Sequence, residues 1–202
     1  MDSMDLQVLA TVRRWAAEGR RFALVTVAAT WGSAPRPPGS WLALRDDGQV
    51  LGSVSGGCIE DDLIARMRQG GMREPTAFKL VYGATQDEAL RYGLPCGGRL
   101  EVVVEPMPNP AQLEQLAALL TQRRLASRHV DLATGTVSVG QARAGEALRW
   151  DGSGLTTLHG PQWRLLIIGA GQVSQYLARM AQALDYEVTV CDPREEYGRC
   201  WD

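Results

Sequence analysis

The sequence lacks the features that mark membrane, secreted and nucleic-acid-binding proteins. It contains no run of about 18 apolar residues, and its N-terminus carries acidic residues where a signal peptide would carry basic ones. Its formal net charge is -2, with acidic and basic residues mixed along the chain, so no basic stretch of the kind that binds nucleic acid is present. These absences predict a cytoplasmic protein with no nucleic-acid partner and no membrane association.

Cysteine is scarce, with 4 residues in a chain of 202. A cytoplasmic protein keeps its cysteines reduced, so they are expected as thiols or ligands rather than as a disulfide framework. Two of them stand beside paired glycines, in SGGC (residues 55–58) and CGGR (residues 96–99). Glycine adopts positive φ angles without strain, so such loops let backbone N–H groups converge on an anionic ligand. The pattern predicts a cofactor-binding site that contains Ser55, Gly56, Gly57, Cys58, Cys96, Gly97, Gly98 and Arg99.

The two cysteines favour contact with a metal or with sulfur over nucleophilic catalysis. Three acidic residues follow Cys58 in the first turn of a predicted helix, and they raise the cost of a thiolate there. We therefore interpret Cys58 and Cys96 as soft metal ligands or transient sulfur contacts; the alternative is that each is a small buried hydrophobic residue. Structural zinc and a Cys–His hydrolase are disfavoured, because the cysteines lack C-x-x-C spacing and neither histidine lies near them in sequence.

Two arginines and two tryptophans lie in or beside the same loops. Arg36 belongs to a proline-rich loop, and Arg99 closes the CGGR stretch. A guanidinium binds a phosphate or a fused-ring amide with two hydrogen bonds, so both arginines are candidate cofactor-binding residues, with a solvated surface charge as the alternative. Trp31 and Trp41 flank the first loop and are candidates for stacking on a heterocycle, although core packing is the commoner fate of tryptophan.

The order of predicted elements indicates an α/β protein, with a mixed α/β N-terminal domain followed by a truncated Rossmann-type βαβ unit. Residues 1–107 contain helical apolar repeats, short β-rich runs and an Asp-Gly hairpin, which are typical of one mixed domain. The proline-rich stretch MPNP then leads into residues 108–162, interpreted as a linker with a helix and a β connection. Residues 163–202 match the start of a Rossmann-type domain.

The glycine turn near residue 170 matches a dinucleotide-binding fingerprint. Gly169 and Gly171 follow a predicted buried strand and precede a predicted helix, and Asp192 lies about twenty residues further on, where an acid binds ribose. Only the third glycine is replaced, by the small Ser174. Because the predicted unit ends after its second strand, we expect a shortened form of a longer protein, or else a partner subunit that covers the open edge.

Three loop motifs and the Rossmann start together resemble the xanthine dehydrogenase accessory-protein family, also called the XdhC/CoxI family. The motifs are TWGSAPRPPGSWLAL, GSVSGGCIEDDLI and YGLPCGGRLEVVVEP, followed by the strand that ends in CDPR. The proline–arginine loop of the family falls on Ser33, Pro35 and Arg36. Its cysteine–glycine motifs fall on residues 56–58 and 96–98.

The resemblance implies a cytoplasmic chaperone rather than an enzyme. Such a protein would bind the molybdenum cofactor (molybdopterin), help it receive sulfur from a cysteine desulfurase, and insert it into a molybdenum hydroxylase of the xanthine dehydrogenase type. The resemblance also implies a homodimer, and NAD(P) stays open as a second cofactor of a full-length protein. The N–H groups of the glycine loops, with Arg36 or Arg99, would hold the phosphate and the pterin, and Cys58 or Cys96 would lie near the metal.

Two other functions stay open from the sequence. One is a small NAD(P)-dependent oxidoreductase that uses Asp192 to hold a ribose, which would require a complete Rossmann domain and an acid–base residue near the nicotinamide. The other is an interaction module that docks a dehydrogenase and binds no ligand. In that case both glycine loops would tolerate alanine freely.

Overall fold

The computed structural model describes residues 4–32, 36–85, 87–88, 92, 98–143, 145–160, 163–184 and 186–198. These residues form sheets of five, four and two strands with helices packed beside them, which confirms the mixed α/β class. No helix among them is long and apolar enough to cross a membrane. In chain order the elements are α1 (Met4–Ala17), β1 (Phe22–Trp31), β2 (Trp41–Arg45), β3 (Val50–Gly52), α2 (Cys58–Arg68), β4 (Phe78–Tyr82), β5 (Arg99–Pro106), α3 (Pro110–Thr121), β6 (Ala126–Asp131), β7 (Val137–Gln141), β8 (Arg149–Trp150), β9 (Gly154–His159), β10 (Trp163–Ile168), α4 (Gln172–Ala183), β11 (Tyr186–Cys191) and α5 (Glu195–Gly198).

The first sheet is antiparallel and has the strand order β3-β2-β1-β5-β4, so β1 is its central strand. Residues 22–28 of β1 are all buried. Because successive side chains of a strand point to opposite faces, this run requires cover on both faces of the sheet. On one face Val25 packs in a cluster with Ile59 of α2. On the other face Leu24 packs in a cluster with Leu116 of α3, beside α1.

Residues 108–162, interpreted from the sequence as a linker, form a second folded layer on the first sheet. The layer consists of α3 and an antiparallel sheet of order β7-β6-β9-β8. Ala28 and Val103 of the first sheet share a buried cluster with Val130 and Leu155 of the second. Strand alternation predicts the β connection, but the packing of the two sheets joins residues far apart in the sequence. The domain boundaries stay a prediction. The boundary predicted after residue 107 separates two segments whose side chains share buried clusters.

Charged side chains between the two sheets are paired. Arg128 of β6 is 1% exposed and donates two hydrogen bonds to the carboxylate of Glu105 in β5, at 2.7 and 2.6 Å. In addition, the indole Nε1 of Trp150 in β8 donates to Glu101 of β5 at 2.7 Å. A buried charge is tolerated when a partner and hydrogen bonds compensate for its lost hydration. These two contacts therefore fix how the second sheet lies on the first.

The last described segment forms a β-α-β unit of the predicted type. β10 and β11 are parallel, with register from Trp163 opposite Tyr186 to Ile168 opposite Cys191, and α4 connects them. Large apolar side chains of this unit are exposed, among them Ile168 at 79% and Val173 at 80%. Parallel sheets are normally covered on both faces, so these side chains mark surface that is available for further packing.

Replacing Arg128 by alanine is expected to destabilise the fold by about 3–5 kcal/mol, because the Glu105 carboxylate would stay buried without its partner. The matched control is Arg13→Ala. Arg13 of α1 pairs with Glu114 of α3, but both side chains are exposed, so the loss should be about 1 kcal/mol or less. Urea unfolding of the three proteins measures both changes. Equal small losses would show that the buried pair does not hold the two sheets together.

Candidate functional site

The three glycine-rich loops leave the same end of the first sheet. Because neighbouring strands are antiparallel, the end of β1 lies beside the starts of β2 and β5. The ends of β3 and β4 lie at this same end of the sheet. The segments 31–41, 52–58 and 82–99 therefore all begin or finish there. The topology brings the anchor points of the three predicted loops together; that they bind a ligand stays a prediction.

The first and third loops approach each other through glycine. A Cβ atom on Gly32 would lie 3.3 Å from the Cα atom of Gly98, and Gly32 has a φ of 76°. A side chain at Gly32 would therefore meet backbone strain and a tight contact at the same time. This close approach explains the glycine at position 32, and it places Gly98, one of the predicted site residues, against the first loop.

Arg99 lies over an exposed aromatic ring beside this glycine contact. Its guanidinium carbon is 4.9 Å from the centre of the Trp31 ring, and Trp31 is 47% exposed. Arg99 also donates to the carboxylate of Glu101, whose other oxygen accepts from Trp150. Burial raises the pKa of Glu101, but the hydrogen bonds from Trp150 and Arg99 outweigh it and hold that pKa below its usual range. Glu101 therefore stays ionised and holds Arg99 in place beside the ring.

The second loop is folded around the carboxylate of Glu60. Four consecutive backbone N–H groups and two serine hydroxyls donate hydrogen bonds to it. The donors are the N–H groups of residues 54–57, at 2.9 to 3.1 Å, and the Oγ atoms of Ser53 and Ser55. Gly56 has a φ of 90°, a conformation that glycine adopts without strain. The loop is thus an anion-binding nest of the predicted kind, but its occupant is a side chain of the protein itself.

This arrangement corrects the predicted role of Ser55, Gly56 and Gly57. The sequence assigns their N–H groups to a ligand, whereas all three donate to Glu60. Burial raises the pKa of Glu60, but the hydrogen bonds from Ser55 and its neighbours outweigh burial and hold that pKa far below its usual range. Glu60 is therefore an anion at neutral pH and repels a second anion from the same donors. The sequence does contain a sign of this contact: Glu60 lies three residues after the N-cap Gly57, which is the spacing of a capping box.

Asp62 links the third loop to α2. The hydroxyl groups of Tyr82 and Tyr92 donate to its two carboxylate oxygens, at 2.9 and 3.4 Å, and Arg66 donates from the next helical turn. Burial and the hydrogen bond to Asp62 raise the pKa of Tyr82 well above its usual value, so its hydroxyl remains a donor. The two tyrosine rings form an edge-to-face pair with centroids 5.0 Å apart. Because Tyr92 belongs to the third loop, this cluster anchors that loop to the helix that begins at Cys58.

The two candidate metal ligands lie wholly or partly outside the described residues. Cys58 is the first residue of α2, so its backbone lies where the second loop ends, but its side chain is not described. Cys96, Gly97 and Ser33 are outside the described residues altogether. Within the part of the chain that the structure describes, no group of three metal-binding side chains occurs. The metal-binding role of Cys58 and Cys96 therefore stays a prediction.

Two further candidates of the first loop have different environments. Arg36 is partly exposed. Trp41 is 2% exposed, and its ring lies against His159 with centroids 4.2 Å apart. Trp41 is therefore a core residue, which was one of the two alternatives, and its ring is not available to stack on a ligand. His159 is also buried, and its Nε2 lies 2.7 Å from the hydroxyl oxygen of Thr157, so it is a core residue as well.

Asp192, predicted to bind ribose, is engaged within the Rossmann unit. It accepts from the N–H of Ala170 at 2.8 Å, and the guanidinium of Arg194 donates to both of its oxygens at 3.0 and 2.9 Å. The Arg194 guanidinium holds the pKa of Asp192 well below its usual range. Gly169 has a φ of 106°, and Gly171 is the N-cap residue of α4. The acid thus stabilises the glycine turn, and its oxygens are occupied by groups of the chain.

The fold and the site define a protein with a glycine-loop domain and a Rossmann-type unit. A family model described as the XdhC and CoxI family matches residues 15–82, which contain the first two glycine loops. A second model, described as the XdhC Rossmann domain, matches residues 165–200. These two matches confirm the resemblance of the loop motifs to the XdhC and CoxI family, over the residues that the models cover.

Known proteins are similar to this chain over most of its length. The molybdenum cofactor insertion chaperone PaoD of Escherichia coli (strain K12) is 29% identical over 199 residues, covering 90% of this chain and 57% of the relative. A probable xanthine dehydrogenase subunit of Bacillus subtilis (strain 168) is 24% identical over 207 residues, covering 86% and 60%. A crystal structure described as a xanthine dehydrogenase from Bacillus halodurans shares the fold, with a TM-score of 0.65 at 22% identity, covering 94% and 63%. The chain spans less than two thirds of the length of these proteins.

Replacing Glu60 by alanine is expected to destabilise the protein by about 3 kcal/mol, because the loop N–H groups lose their acceptor. Glu60→Gln should lose less, since its amide oxygen still accepts. The folded pKa of Glu60 lies below its unfolded value of about 4.3, so the carboxylate stabilises the fold above that pH and this contribution is lost as the pH falls further.

The difference in unfolding free energy between wild type and Glu60→Gln should therefore shrink from about pH 6 to about pH 3. Urea unfolding followed by circular dichroism measures this difference. Asp61→Asn, a change at an exposed neighbour, is the matched control and should have little effect at any pH. A difference that stays constant with pH would contradict the role assigned to the ionised Glu60.

Proposed function

We propose that the protein is a chaperone that binds the molybdenum cofactor, protects it and delivers it to a molybdenum hydroxylase. The observation that carries this proposal is that three glycine-rich loops begin or end at the same end of the first sheet. The exposed Trp31–Arg99 pair lies at this end. Similarity to a protein named a molybdenum cofactor insertion chaperone, over 90% of this chain, supports it.

The described residues at this end of the sheet suit the organic part of the cofactor. Molybdopterin carries a phosphate group and a flat pterin with hydrogen-bonding edges. The side chain of Arg99 is 46% exposed, and Trp31 offers an exposed aromatic face. A guanidinium binds phosphate through parallel hydrogen bonds, and an indole stacks on a flat heterocycle. The N–H groups of residues 54–57 add no anion site, because Glu60 occupies them.

The cysteines suit the soft part of the cofactor. Cys58 begins α2 where the second loop ends, and Cys96 belongs to the third loop. When bound, the cofactor would supply a molybdenum dithiolene, which is a soft centre of the kind that thiolates contact. We therefore assign Cys58 and Cys96 to the metal end, and Arg99, with Arg36 and Gly98, to the pterin phosphate end.

We infer that a cysteine desulfurase supplies sulfur to the bound cofactor and that the acceptor is an enzyme of the xanthine dehydrogenase type. The Bacillus subtilis relative, which is named for xanthine dehydrogenase, supports that class of acceptor. We further infer a cytoplasmic homodimer that catalyses no reaction of its own.

A small NAD(P)-dependent oxidoreductase is less well supported. A ribose would require a free carboxylate at Asp192, whereas both of its oxygens accept hydrogen bonds from Ala170 and Arg194. A nucleotide would therefore have to displace the Arg194 side chain before it could occupy the turn. NAD(P) binding is kept as a second hypothesis, supported by the fingerprint of the Rossmann unit alone.

Anaerobic titration of the purified protein with molybdenum cofactor released from a donor enzyme tests the proposal, with co-elution of molybdenum and pterin as the measurement. The double change Cys58→Ser and Cys96→Ser is expected to abolish retention. Arg99→Ala is expected to weaken binding about tenfold, because it removes a charge-assisted hydrogen bond. Cys191→Ser is the matched control, since Cys191 is an exposed free thiol in the Rossmann unit, and it should bind as the wild type does.

Circular dichroism and urea unfolding verify that each variant is folded before binding is compared. Undiminished retention by the folded double variant would contradict the role of the thiols. Undiminished retention by Arg99→Ala would contradict the placement of the pterin phosphate. Failure of the folded wild type to retain the cofactor would overturn the proposed function itself.

A further inference from the structure

A cleft lies between the second sheet layer and the Rossmann unit. Its volume is about 670 Å³, and it is lined by the segments at the ends of α3 and β7 and, opposite them, by β10 and β11. Its charged and aromatic lining includes Arg123, Arg124, Arg143, Trp163, Arg164 and Glu187. None of them belongs to the three glycine loops or to the Rossmann fingerprint. The cleft is therefore separate from the site described above.

The cleft concentrates positive charge. Four arginines line it, against two glutamates. The chain as a whole carries a formal charge of -2, so this concentration is local and does not reflect the composition of the protein. Guanidinium groups that share one concave surface raise the local concentration of anions there. An anionic ligand would relieve their mutual repulsion.

Two of the four guanidinium groups have no protein partner among the residues that the structure describes. Arg164 forms an ion pair with Glu187 at 2.9 Å, and Arg124 donates to the amide oxygen of Gln141 at 3.4 Å. Within the same described part of the chain, the side chains of Arg123 and Arg143 make no hydrogen bond or ion pair. Their donors are therefore available to a ligand without the loss of an existing contact.

Arg123 occupies a backbone position that favours glycine. The N–H of Arg123 donates to the carbonyl of Leu120 at 2.9 Å, and the N–H of Arg124 donates to that of Leu119 at 3.0 Å, which forms a Schellman motif at the end of α3. Arg123 has a φ of 56°. Glycine is the usual residue at such a position, and a side chain there carries a conformational cost. Strain of this kind points to a role for the arginine side chain.

An aromatic ring completes the lining of the cleft. Trp163, the first residue of β10, is 66% exposed. Tryptophan usually buries most of its large ring, so an exposed indole in a concave, basic surface is uncommon. Such a ring offers a flat face for stacking, while the neighbouring guanidinium groups offer paired donors for phosphate oxygens.

We propose that this cleft binds a small ligand that carries a phosphate group on a flat ring system. Arg123 and Arg143 would bind the phosphate, and Trp163 would stack on the ring. The volume of about 670 Å³ suits such a ligand, because small-molecule pockets span roughly 300–1,000 Å³. The cleft shares no residue with the loops to which the proposed function assigns the molybdenum cofactor, so AMP binding here and cofactor retention there are tested by separate variants.

Isothermal titration calorimetry with AMP, pyrophosphate and adenosine separates the contributions of phosphate and ring. AMP is expected to bind most tightly, pyrophosphate less tightly and adenosine most weakly. Arg123→Gly is the decisive variant, because glycine suits the φ of 56° at that position. Its urea midpoint is therefore expected to stay the same or rise, while its affinity for AMP falls about tenfold. Arg143→Ala should lose a similar factor.

Arg20→Ala is the matched control, since it removes the same charge from an exposed position outside the cleft. It should bind AMP as the wild type does. Unchanged AMP affinity in both Arg123→Gly and Arg143→Ala would overturn the proposal, and so would the absence of binding to the wild type at millimolar AMP. Equal affinity for AMP and adenosine would also overturn it, because the phosphate would then contribute nothing.

Discussion

The burial of β1 on both faces is the constraint on which the rest of the structure depends. Val25 faces the core built with α2, and Leu24 faces the core built with α1 and α3. Each fully buried large apolar side chain contributes about 1.5–3 kcal/mol, so neither face of this strand can be left to water. The second sheet covers part of one face, and this cover encloses Glu105. The carboxylate then requires the buried Arg128 as its partner.

The same antiparallel arrangement determines the form of the candidate site. Strand pairing sets where the three loops begin and end, and internal acids hold parts of the second and third loops. The carboxylate of Glu60 accepts hydrogen bonds from the N–H groups of the second loop, and that of Glu101 holds Arg99 beside the Trp31 ring. Both acids therefore hold parts of the scaffold in place, while the Arg99 side chain and the Trp31 ring stay exposed. Both arrangements form within the chain itself, from contacts among the described residues.

Sequence patterns predicted the elements and the family well, because apolar periodicity, turn residues and motif spacing are local properties. They did not predict the stacking of the second sheet, since the contact of Ala28 with Val130 and its neighbours joins distant parts of the chain. They also did not predict which hydrogen-bond partner each polar side chain has. The spacing identifies Glu60 and Asp192 as acids at helix and strand ends, but only the fold shows that the first binds its own loop and that the second binds Arg194.

The carboxylate of Glu60 in the second loop also bears on selectivity. A bare cluster of backbone N–H groups at a helix start binds small anions of many kinds. A carboxylate that is tethered to the same loop competes at a very high effective concentration, which a dissolved ion cannot match. Inorganic phosphate or sulfate would therefore find these donors at the start of α2 already bound to Glu60.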